Sequence, residues 1–166
     1  MFGSRIRLAK ARSYKAIAPL VAQIQTEVGI PPDFWSNAFV QNFFITLIGC
    51  FSAIENGGLM REGDAVKVMP SVLSKLSHMD GQSIFVEGYK QIGSESGKDG
   101  GDLAMLLFAT MSGSEVKKKE HPYYVRACTY AEISQNIFEG TRQEMLATGL
   151  VLAVLFPEIK DRFNIA

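Results

Sequence analysis

Two histidines and two cysteines are the side chains of this chain best suited to proton transfer, nucleophilic attack or metal binding. His78 and His121 stand 43 positions apart. A zinc site asks for local ligand pairs, such as two histidines one helical turn apart, and the sequence has none. His78 falls near a helix boundary, where a solvated side chain is expected. His121 precedes Pro122 and is expected to cap the following helix. Cys50 and Cys128 both lie in apolar, helical surroundings, which favours buried thiols behaving as small hydrophobes. One disulfide between them stays open, but two cysteines make no disulfide framework of the secreted kind. A reducing, cytoplasmic setting is therefore expected. There is no G-x-S-x-G elbow, and neither cysteine has a histidine beside it in sequence. An enzyme would need a site assembled from distant residues, for example Cys128 with His121 or His78. No catalytic residue, metal ligand or cofactor is assigned.

Gly93 to Lys98, GSESGK, invites comparison with a phosphate-binding loop. The spacing between its glycines is one residue short, Asp99 follows the lysine where Ser or Thr is needed, and a helix rather than a strand precedes it. Gly100-Gly101-Asp102 opens a helix whose free amides could hold an anion, but Asp99 and Asp102 would repel one. Those two aspartates could serve a cation, yet the closing glutamate of a calcium-binding loop is missing. Residues 93–102, GSESGKDGGD, are expected to be a flexible loop, with Asp102 or Asp99 capping the next helix. Glu132, Glu139 and Glu144 are expected to be surface charges.

These side chains must be held by some scaffold, and one stretch dominates it. Phe34 to Ile54 carries no charged residue, with Asp33 just before it and Glu55 just after. Its hydropathy alone would suit a membrane span. Placed on a helix, Phe39, Val40, Phe43, Phe44, Leu47, Cys50, Phe51 and Ile54 share one broad face. Asn37, Gln41, Asn42, Gly49 and Ser52 share the other. Unpaired amides in hydrocarbon cost several kcal/mol, and Trp35 marks only one end, so a buried core helix is preferred. Asp33 suits its start and Asn56-Gly57-Gly58 its end.

The flanking sequence reads as further helices. Pro19 either separates a short basic helix from a second one or kinks a single helix. Gly29 fits a helix end. A helix follows Gly63-Asp64 and meets Pro70. Asp80 caps a helix in which Ile84, Phe85, Tyr89 and Ile92 recur at helical spacing. Leu103, Leu106, Leu107, Thr110 and Met111 form the next, ending at Gly113. Residues 114–121 form a polar connector. The helix from Pro122 carries Tyr123, Ala127, Tyr130, Ala131, Ile137 and Phe138 and is expected to run to Gly140. Thr141-Arg142-Gln143-Glu144 is a capping box. It opens an apolar run to Phe156 of about 12 residues, too short to span a membrane. No segment alternates strongly enough to be a strand.

Charge is balanced overall, 17 cations against 17 anions, but not locally. Arg5, Arg7, Lys10, Arg12 and Lys15 precede the first acid, Glu27, so the remainder of the chain is net acidic. This basic segment reads as a solvated helix along the acidic body, as a surface for an acidic partner or anionic lipid, or as a targeting segment. Its apolar face is poor, so lipid contact is expected to be weak. Removing residues 1–17 is expected to leave the fold intact. Together with Lys117-Lys118-Lys119 it is also the basis for a nucleic-acid reading, which the acidic body disfavours.

The expected fold class is all-α: a compact domain of about six to eight helices. It is built around a central hydrophobic helix near residues 33–55 and a C-terminal hydrophobic helix near 141–156. Residues 1–17 form a basic N-terminal arm or helix, and 18–166 a single all-helical domain. The favoured function is a soluble, non-enzymatic interaction or regulatory module that binds a protein partner or forms a homo-oligomer. The main alternative is a small-molecule or lipid-binding protein with an apolar cavity beside the central helix. Phe43, Phe44, Asn37, Gln41, Asn42 and Tyr130 are its candidate lining residues. A flat apolar patch at the surface would favour the partner reading.

Overall fold

The computed structural model describes residues 2–55, 62–137 and 139–166, and all regular structure in them is helical. The chain is all-α. The stop at Asn56-Gly57-Gly58, together with Met60 and Phe138, lies outside the described residues. Two compact units divide the chain, Met1–Asp102 and Leu103–Ala166.

In the first unit, helix α1 (Phe2–Glu27) runs unbroken through Pro19. Gly29, at φ +87°, turns the chain out of it. The basic segment is thus part of one long helix. Its inner face is Ala9, Ser13, Ile17, Val21 and Ile24, all buried. Small residues on that face let α1 lie close to its neighbours, helices α2 (Ala38–Glu55) and α3 (Glu62–Ser77). The Ser13 and Ser52 hydroxyls bond at 3.0 Å between α1 and α2, so neither buried group is left unpaired.

The central helix starts later than Asp33. Phe34–Ser36 is a separate 3-10 turn, and Asn37 then adopts an extended conformation. The Asn37 side-chain oxygen accepts from the amides of Phe39 at 3.0 Å and Val40 at 3.4 Å, so Asn37 is the N-cap of α2. An asparagine counted on the polar face is spent on the helix start. The late start also shortens α2 to 18 residues, under the roughly 20 a span requires. No helix among the described residues is long and apolar enough to cross a membrane.

From Phe39 to Ile48 both faces of α2 are largely buried, whereas Ile54, expected on the apolar face, is 49% exposed. Phe39, Phe43, Phe44, Leu47 and Ile48 form the apolar side. Phe34, Trp35 and Phe44 gather around the turn that precedes the helix, with the Trp35 and Phe44 rings 5.0 Å apart. Each such side chain withdrawn from water stabilises the unit by about 2–3 kcal/mol. The other side meets helix α4 (Gly81–Lys90) and the first two turns of α5 (Glu95–Ser112).

Residues 93–102 were expected as a loop, and the structure corrects this. Ser94 caps α5, its hydroxyl accepting from the Gly97 amide at 3.0 Å, and the helix is continuous from Glu95. The glycines serve close approach. A Cβ on Gly100 would strike the Phe39 carbonyl oxygen, and one on Gly97 the Gln91 carbonyl oxygen. Glycine costs a helix about 1 kcal/mol, but here only glycine lets two backbones touch.

In the second unit, helix α6 (Pro122–Ser134) packs against α7 (Arg142–Gly149) and the helical run that continues it. Helix α6 stops at Ser134, short of Gly140, and Ile137 is exposed rather than packed. The Thr141–Glu144 capping box forms as expected. The last helix does not end before Pro157. A π-helical stretch, Leu150–Leu155, leads into α8 (Phe156–Phe163), which contains Pro157. Proline has no N–H to give the carbonyl four residues back, and its ring crowds that carbonyl. That carbonyl is Ala153, and Arg126 from α6 supplies the missing donor at 2.8 Å. The Phe156 amide reaches back five residues to Val151, the widened bond that accommodates the ring. Glu158 holds the guanidinium of Arg126 at 3.0 Å and that of Arg162 at 3.1 Å.

Candidate functional site

The candidate side chains distribute as follows. Phe43 and Phe44 are fully interior, with rings 5.1 Å apart and edge to face. Phe43 also stacks on Phe39 at 6.4 Å. Gln41 and Asn42, each 1% exposed, tie α2 to its surroundings. Gln41 donates to the Trp35 carbonyl at 3.0 Å and to the Glu87 carboxylate at 3.3 Å. Asn42 donates to the carbonyls of Ala38 and Gly88, both at 3.0 Å. All four acceptors lack a hydrogen to return, which fixes each amide with its nitrogen toward them. The Gln41 and Asn42 side-chain oxygens are buried without a partner among the described residues. Tyr130 belongs to the second unit, where it packs beside Gly149.

The reactive side chains find partners that suit structure. His78 sits at φ +58° just past α3, exposed, as a helix-terminating residue. Nδ1 of His121 accepts from the Tyr123 amide at 3.2 Å and caps α6. Cys128 lies seven residues further along α6, a rise of about 10 Å, well beyond the reach needed between base and nucleophile. The phenol of Tyr124 neighbours Cys128, and burial first, then that thiol, pushes the phenol above its ordinary pKa. Cys50 is pushed up to about 11 by burial. Neither cysteine forms a disulfide. No group of three metal-ligating side chains occurs among the described residues. Glu115 to His121 line a shallow, open cleft within the connector, contributed entirely by that one segment.

Helix α4 is different, because its polarity is inverted. Asp80 caps it, accepting from the Gln82 amide at 3.0 Å and the Ser83 hydroxyl at 2.6 Å. These bonds hold the Asp80 carboxyl below its ordinary pKa. The inner face consists of Gly81, Ile84 and Gly88. A Cβ on Gly81 would strike the Pro70 carbonyl oxygen of α3, and one on Gly88 would lie 2.6 Å from Cδ1 of Ile45 on α2. Two glycines thus seat the helix backbone directly on its neighbours. The large side chains are left on the outside. Tyr89 is 61% exposed, Ile92 52% and Val86 39%. Phe85 is half-buried, its ring 6.2 Å from that of Tyr89.

Phe85 and Tyr89, four residues apart, share one side of α4, and Ile92 follows them in the turn just past the helix end. Single exposed apolar residues are ordinary, but here an aromatic and an aliphatic side chain lie exposed within three residues of each other. Their helical spacing was visible in the sequence, and it reads naturally as a core face. The decisive signal was Gly81 and Gly88, seven residues apart and flanking Ile84, which mark the face that approaches other backbones. No protein-family model matches this chain, and no curated protein or solved structure matches it significantly.

Proposed function

We propose that this protein is a non-enzymatic interaction module acting through protein–protein contact. It pairs with a second copy of itself through the outward face of α4. The observation that supports this is that Tyr89 and Ile92 are exposed beside half-buried Phe85, on the outer side and at the end of a helix whose inner face is mostly glycine. The stripe is self-complementary. In an antiparallel pairing about a two-fold axis beside Tyr89, Phe85 of one copy lies opposite Ile92 of the other, and the two Tyr89 rings meet at the centre. One short helix offers less than the roughly 800 Å² per partner of a standard interface, so the pairing is weak and reversible. A cavity beside α2 has less support, because Phe43 and Phe44 are already packed against each other and against Phe39 and Trp35. The unbridged cysteines suit a reducing setting such as the cytoplasm.

Sedimentation velocity across protein concentrations up to about 100 μM tests the pairing. The expected result is a monomer–dimer equilibrium for the wild type. Tyr89→Glu removes it without a change in melting temperature, because the side chain is on the surface. A wild-type protein that stays monomeric over this range contradicts the proposal.

A further inference from the structure

We infer that the outward face of α1 is a docking surface for anionic lipid bilayers, distinct from the α4 stripe. Two faces of α1 can be told apart by spacing alone. Ala9, Ser13, Ile17, Val21 and Ile24 are buried and fix the helix against its own unit. Arg5, Leu8, Arg12 and Lys15 follow at steps of three, four and three, so they share one stripe on the opposite side. All four are exposed, Leu8 by 55%. Arg7 and Lys10 extend the positive charge around the flank of the helix, where Lys75 Nζ from α3 lies 5.7 Å from the Tyr14 ring centre. No acidic residue occurs before Glu27. Arg5, Arg7 and Lys15 therefore have no carboxylate within four residues of them along the chain.

The chemistry of this face selects a lipid surface over a shaped acidic peptide. The cations sit on long flexible stems and are spread along the helix rather than gathered at one point. A delocalised sheet of phosphate and carboxylate charge can meet Arg5, Arg7 and Lys15 at once. Leu8, at the centre of the stripe, is placed to enter the headgroup layer while the surrounding Arg and Lys stems spread outward to the phosphates. The apolar face of α1 is already committed to its unit, so the helix adsorbs without inserting. Adsorption of this kind is dominated by charge and is screened by salt.

The test is sedimentation of the full chain with vesicles of phosphatidylcholine alone or with about 30 mol% phosphatidylserine. We expect binding only to the anionic vesicles at low salt, and its loss in about 0.5 M NaCl. Arg5, Arg7 and Lys15 are exposed, so the combined variant Arg5→Glu, Arg7→Glu, Lys15→Glu keeps the wild-type melting temperature. Its partitioning onto anionic vesicles falls on the order of 100-fold or more. The Tyr89→Glu variant binds vesicles like the wild type, which separates this surface from the α4 stripe. Absence of low-salt binding to anionic vesicles overturns the inference. So does equal binding to neutral vesicles, or undiminished binding by the charge-reversed variant.

Discussion

Cys50 shows how burial can outweigh a hydrogen bond in setting the behaviour of a residue. Desolvation by the surrounding helices raises its thiol to about 11 from an ordinary 9.0. The folded protein therefore keeps the proton over a range in which the unfolded chain loses it. Stability from this group is complete below about pH 9 and is lost as pH rises towards 11. Denaturant unfolding of wild type and Cys50→Ala across that range should show a steeper alkaline decline for the wild type. Parallel curves would mean that the thiol is not desolvated. The apolar surroundings of Cys50 were legible from its neighbours in sequence, but both cysteines are half-buried rather than fully buried as expected. The duty of Asn37 was not, because helix periodicity places it on the polar face of α2 whether or not it is the cap. Only the extended backbone at Asn37 separates the two readings.

At the scale of elements, glycine is what the sequence conceals best. A run such as GSESGKDGGD has the composition of a loop, and local propensity favours that reading. Tertiary contact overrides it, because Gly97 and Gly100 are where α5 meets other backbone. Adjacent glycines then behave oppositely. Gly100→Ala drives a methyl into the Phe39 carbonyl and should destabilise the protein by about 1–3 kcal/mol. Gly101→Ala meets Oγ1 of Thr46 at an ordinary 3.5 Å and should gain up to about 1 kcal/mol from helix propensity. Urea denaturation of both variants checks this, and equal effects would contradict the proposed approach of α5 to α2. The same logic hid the face of α4, where the apolar side chains that look like core are outermost. By contrast, the Thr141 box, the His121 cap and the Asp80 cap were readable, because each is a local pattern completed within a few residues.

At the scale of the whole molecule, the all-α class followed from periodicity and from the absence of alternating segments. The role of the N-terminal segment did not follow, because its inner face offers only small Ala9 and Ser13 before Ile17. Ala9, Ser13 and Ile17 are all fully buried, and Ser13 bonds to Ser52. Removing residues 1–17 takes these from the core and leaves Ser52 without that bond, so the shortened chain should melt well below the full-length protein in a thermal scan. A wild-type melting temperature would mean that the segment is a separable arm.

The central claim is that the exposed stripe of α4 pairs with itself, and cysteine cross-linking tests it most directly. Tyr89→Cys places a thiol where the two-fold axis should pass. Ile133→Cys, on the equally exposed surface of α6, serves as the control. Under mild oxidation, the Tyr89→Cys protein should form a covalent dimer rapidly and the Ile133→Cys protein slowly. Equal rates for the two would contradict the account.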